Sequence, residues 1–168
     1  MNKSIITFAI LFIVLVLAQA LIMNHIVLFH YAVCFVFIYF IVKLPLNVPA
    51  NWALTFGFLL GLSVDMLSDT PGVNALGCTI LTAMKRPIYF AYEQHDDKNR
   101  NIEPGMWTMG WLNFSKYLLS MSALYCITVT LIESVNYESP AVILIKAGAS
   151  TVFTFLMLTA IDSLQNKK

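Results

Sequence analysis

A chain of 168 residues that is 59% hydrophobic and only 11% charged, with a mean hydropathy of +0.77, has too few charges for a water-soluble domain, where about 25% of residues are charged. It reads as an integral membrane protein. Ten basic against nine acidic residues leave a net charge of +1, so no large basic field exists to hold nucleic acid.

Crossing the hydrocarbon core takes roughly 20 apolar residues on a helix. The first predicted span is Ile5–Met23 and the second Ile26–Val42, separated by Asn24 and His25. Lys3, the apolar stretch and Ala18-Gln19-Ala20 imitate a secretory signal with its cleavage site. Because Leu21, Ile22 and Met23 continue the apolar run, an uncleaved span is expected. His25 and His30 have no paired ligand nearby and read as polar interface residues.

The middle of the chain is less clear. Ala53–Val64 and Val73–Met84 are each apolar for only about a dozen residues, shorter than a usual span. Extension back to Pro49, a good first-turn residue, and on through Tyr92 gives two crossings, the alternative being a re-entrant hairpin over 49–92. "EQHDDKNRNIE", between Glu93 and Glu103, is a solvated mixed-charge loop. Trp107–Ile132 and Ala141–Ile161 complete six spans, joined by the polar turn Glu133–Pro140.

Charge orients this layout. Lys3, Lys43, Lys85, Arg86, Lys98, Arg100, Lys167 and Lys168 fall on one side and the outer turns carry no Lys or Arg. The positive-inside rule then places both termini in the cytoplasm. Trp52, Trp107 and Trp111, with Tyr89 and Tyr92, fall at the same helix ends, where amphipathic rings anchor at headgroups. Lys116 can snorkel to that side. Lys146, near the outer end of the last span, makes a candidate intramembrane ion pair with Glu133.

Three cysteines, Cys34, Cys78 and Cys126, each lie in an apolar run without CxxC spacing. They suggest packing rather than a disulfide framework or zinc site. No linker, low-complexity tract or repeat divides residues 1–168, which read as one all-α, six-helix transmembrane domain.

One stripe stands out. Ala53, Gly57, Gly61, Asp65 and Asp69 recur every fourth residue and share a helix face. Small residues at this spacing let helix backbones approach closely in lipid, and Ala75, Thr79 and Ala83 on the next helix suggest that the two touch. The stripe is either internal packing or a docking face for a partner helix. Asp65 and Asp69 are expected at the outer boundary, capping the amides of Thr70 to Ala75 or making a polar partner contact. No nucleophile with a base accompanies them, and two carboxylates fall short of the about six to eight oxygens that calcium takes. No enzyme activity, metal or cofactor is expected.

The block "GFLLGLSVDMLSDTPGVNALGCTILTAMKRP", Gly57 to Pro87, resembles the central motif of the MreD rod shape-determining family, with its Gly-Leu-x-x-Asp, Pro-Gly and Ala-Leu-Gly progression. A weaker echo follows from Trp107 to Glu133, and the six-span layout suits that family along the whole chain. The resemblance implies a non-enzymatic scaffold of the cell-wall elongation machinery in the plasma membrane of a rod-shaped bacterium. Its partners would be MreC, through it the RodA glycosyltransferase and a penicillin-binding transpeptidase, MreB filaments indirectly, and membrane lipids. The residues singled out for packing or partner binding are Gly57, Gly61, Asp65, Asp69, Pro71, Gly72 and Gly77.

The family's fold is similar to the substrate-binding S components of vitamin transporters, which supplies a rival reading as a small-molecule-binding transport subunit. Such a subunit needs convergent polar groups in an outward pocket. The outer turns offer mainly Asp65, Asp69, Asn74, Glu133, Asn136 and Glu138.

Overall fold

A computed structural model describes residues 2–21, 33–70, 72–92, 104–134 and 140–165. Expectations for His25, His30, Pro71, Asn136, Glu138, the 93–103 loop with Lys98 and Arg100, Lys167, Lys168 and the side chains of Lys3 and Trp107 lie outside the described residues.

All regular structure among the described residues is helical. The α-helices are α1 (Asn2–Leu21), α2 (Tyr39–Lys43), α3 (Ala50–Ser68), α4 (Val73–Tyr92), α5 (Met106–Ser134) and α6 (Pro140–Gln165), with a 3-10 turn at Val36–Ile38 leading into α2. Among the described residues, three stretches are long and apolar enough to cross a membrane: Ala50–Ser68, Thr108–Glu133 and Ala141–Leu164. The apolar part of α1, Phe8–Leu21, is shorter. Helix α4 reaches the length expected through Tyr92, but it carries Lys85, Arg86 and Pro87 in its last two turns.

Local chemistry explains the boundaries. Pro49 precedes α3 with an extended backbone (ψ 142°), and its fixed φ suits a helix start. Gly110 interrupts α5 at φ 76°, ψ 158°, a conformation essentially reserved for glycine. The expected span therefore begins with a short helical turn before this break.

The expected continuous helix over Ile26–Val42 is corrected where it is described, because residues 33–35 are not helical. Side chains of other helices take the bonds that a helix would have used. Val33 N–H donates to Ser150 Oγ and Phe35 N–H to Thr154 Oγ1, at 3.1 and 3.2 Å. Gln19 Nε2 donates to the Cys34 carbonyl at 2.9 Å, while Gln19 Oε1 accepts from Val36 N–H at 3.0 Å. Irregular backbone at membrane depth is tolerated when protein satisfies it in this way. Gln19, the middle residue of the signal-like Ala-Gln-Ala, is thereby a buried structural residue.

The core lies between α2, α4 and α5, where Phe37, Ile41, Leu81, Phe114, Leu118 and Met121 are fully enclosed. Tyr89, expected at the headgroups, is buried there with its ring edge-on to Tyr117, centroids 5.9 Å apart. Tyr92 bonds Ser120 at 2.7 Å. Trp52 and Trp111 stay exposed. The three cysteines are buried and free.

Candidate functional site

Helices α3 and α4 make the most extensive helix contact in the molecule, and the small-residue stripe is the reason. A Cβ on Gly61 would lie 2.5 Å from Ala75 Cα and 2.6 Å from Ala75 N, both backbone atoms. At Gly57 it would meet Thr82 Cβ at 3.1 Å and the Cys78 carbonyl at 3.2 Å. Only glycine permits this approach. The contacting face of α4 is Asn74, Ala75, Cys78 and Thr82, which corrects the expected Ala75, Thr79, Ala83 row. Ala83 is exposed, because each four-residue step advances about 40° around a helix and carries position 83 away from the line through Ala75, Cys78 and Thr82. Gly77 turns the other way, where a Cβ would meet the Tyr125 and Val129 side chains of α5 at 3.0 and 3.1 Å.

The stripe ends in a cap. Asp69 closes α3 in the left-handed region at φ 53°, which aspartate tolerates better than most residues. Thr70 N–H then bonds the Asp65 carbonyl at 3.3 Å, a Schellman-type closure. Gly72, at φ 79° with open space around it, precedes α4 and has no side chain to cap it. The Asp65 carboxylate takes that place from the preceding helix. Its Oδ1 accepts from Thr70 Oγ1 (2.7 Å), Asn74 N–H (3.0 Å) and Asn74 Nδ2 (2.9 Å), and its Oδ2 accepts from Ala75 N–H (2.8 Å). Those two backbone amides are otherwise orphans of the first turn of α4, and a carboxylate beside them is favoured by the helix dipole.

From there the network reaches a third helix. Tyr125 of α5 donates its hydroxyl to Asn74 Oδ1 at 2.6 Å. Asp65 is 5% exposed and Asn74 6%, while Tyr125 is fully enclosed. Asp65, Asn74 and Tyr125 therefore tie α3, α4 and α5 together at one point. The two aspartates do not act as a pair: Asp69, past the helix end, is exposed and absent from this network. Both Asp65 oxygens are committed to donors within this cap.

Asp65→Asn tests this account. The amide keeps one acceptor oxygen but sets an N–H₂ group against an N–H donor, so about 1–3 kcal/mol of stability should be lost. Thermal unfolding in mild detergent reads the effect, and an unchanged midpoint would rule out the cap.

A second polar cluster joins the far ends of α2 and α6. Lys43 Nζ lies 2.5 Å from Asp162 Oδ1, and Tyr39 donates its hydroxyl to the same oxygen at 2.8 Å. The ammonium also faces the Tyr39 and Phe114 rings, 5.7 and 5.5 Å from their centroids. Asp162 is 0% exposed and Lys43 15%. Sequence reading passed over Asp162; the available signal was a lone carboxylate in the apolar run "LTAIDSL". Glu133, at the end of α5, is exposed and Lys146 half-buried, so neither occupies the interior as Asp162 does. Lys116 is exposed.

Among the described residues, fold and site together define a helical protein with three helices long and apolar enough to cross a membrane, organised around a capped helix clasp. No protein-family model matches the chain, and comparison with curated proteins and with solved structures finds no match.

Proposed function

We propose that the protein is a non-enzymatic membrane scaffold of the bacterial cell-wall elongation machinery, of the MreD kind. In this reading it spans the plasma membrane six times with both termini in the cytoplasm. It binds MreC and, through it or directly, RodA and a penicillin-binding transpeptidase, with MreB filaments linked indirectly.

The observation that carries the reading is the organisation of Gly57–Pro87, the block that resembles the family motif. Its Gly57, Gly61 and buried Asp65 join α3 to α4 in one unit. The opposite face of α3 exposes Trp52, Phe56, Phe58, Leu59, Met66 and Leu67. A rigid helix pair with an apolar outer face suits holding a partner's membrane helix, and Asp65, spent on capping, suits structure rather than chemistry.

Affinity purification of the tagged protein from gently solubilised native membranes tests the proposal. The expected result is co-purification of a coiled-coil membrane partner with wall-synthesis enzymes. Co-purification of a transporter membrane subunit with paired ATPases would instead establish a substrate-binding transport component.

A further inference from the structure

The connection between α2 and α3 is held by two cations from α4. Lys85, 3% exposed, donates its ammonium to the Leu44 carbonyl at the end of α2. Arg86 Nη2 donates to the Leu46 and Val48 carbonyls at 3.0 and 2.8 Å. These contacts explain why the connection keeps its shape. They also leave a cavity of about 220 Å³ between the connection, the start of α3 and α4.

The cavity wall is mainly apolar, with Leu46, Val48, Leu54 and Ala83 prominent, alongside Thr82, Lys85 and Arg86. Among the described residues, no Asp or Glu lines it. Low-dielectric walls beside the Arg86 guanidinium, whose described partners are carbonyls, strengthen attraction for an anion. Arg86 has five N–H donors, of which the Nη2 pair serves the two carbonyls, leaving Nε and Nη1. Arg86 is exposed but its guanidinium is anchored, so the remaining N–H donors are oriented before a ligand arrives. Each can make a charge-assisted hydrogen bond to a phosphate oxygen. Trp52, 61% exposed in the first turn of α3, supplies the kind of ring that settles at headgroup depth.

We propose that this cavity binds the headgroup phosphate of an anionic phospholipid, with Arg86 holding the phosphate and the apolar wall receiving the glycerol and first methylenes. The inference needs only that the helices lie in a membrane and is independent of the scaffold reading.

The test uses the full-length protein in nanodiscs of equal phosphatidylglycerol and phosphatidylcholine, released into mild detergent for native mass spectrometry of retained lipid. Wild type should retain phosphatidylglycerol over phosphatidylcholine by roughly tenfold, as one charge-assisted hydrogen bond allows. Arg86→Gln, whose amide still reaches for a loop carbonyl, should lose most of that preference. No preference in wild type, or an undiminished one in a folded Arg86→Gln, overturns the proposal. If Arg86→Gln does not fold, Arg86→Lys decides: a reduced preference supports the anchored guanidinium contact and an unreduced one overturns it. Displacement of phosphatidylglycerol by excess inorganic phosphate would overturn the lipid as source and leave a site for free phosphate.

Discussion

Gly61→Leu is expected to prevent stable folding of the clasp. The new Cβ would sit within 2.6 Å of Ala75 backbone atoms, and a backbone cannot rotate aside as a side-chain tip can. Helices α3 and α4 must separate, and as they do Asp65 loses its bonds to Asn74 and Ala75. Overpacking costs about 1–3 kcal/mol and the lost cap about 0.5–2 kcal/mol. Together these are a large share of the roughly 5–15 kcal/mol that stabilises a typical domain.

Gly148→Leu on α6 is the control, since a Cβ there meets nothing within 4 Å. Fluorescence-detected size exclusion and thermal unfolding of tagged variants should show Gly61→Leu aggregated or sharply destabilised and Gly148→Leu close to wild type. A Gly61→Leu protein with an unchanged midpoint that no longer captured its partner would make the stripe a docking face instead.

The second large effect is an asymmetry at Lys43 and Asp162. Lys43→Met removes the Lys43 ammonium from a fully buried carboxylate that also accepts from the Tyr39 hydroxyl. Stranding a buried charge costs about 3–5 kcal/mol. Asp162→Ala should cost less, because Lys43 is 15% exposed and can turn its ammonium toward water. The double variant Lys43→Met, Asp162→Leu should recover much of the loss, since apolar replacement of a buried pair is often near neutral. Midpoints of the three variants in one detergent provide the cycle. The pairing account is excluded if Lys43→Met is no worse than the double variant.

Helix positions were largely readable because apolar run length sets them. Proline at 49 and the polar turn at Glu133–Pro140 gave the start of α3 and the α5–α6 boundary to within a few residues. The glycine stripe was readable as a close-packing face, since spacing of four is geometry local to one helix. Its partner residues were not, because which side of α4 meets α3 is a property of the two helices together: Cys78 and Thr82 meet Gly57 while Ala83 is exposed.

The break at residues 33–35 was hidden for the same reason. An apolar run predicts a helix unless other groups satisfy the backbone, and those groups are Gln19, Ser150 and Thr154, one of them 15 and the others 117 and 119 residues away. Tyr89 looked like a headgroup anchor by composition, yet packing against Tyr117 draws it into the core.

Composition and periodicity thus determined by themselves that the described residues form helices, several suited to a membrane, because the transfer energy of a side chain is its own property. The tertiary structure alone decided which polar groups lie inside and with whom: Asp65 with Asn74 and Tyr125, Asp162 with Lys43 and Tyr39. A buried charge is stable only beside its partner, and the distances between those partners exist only once the helices have packed.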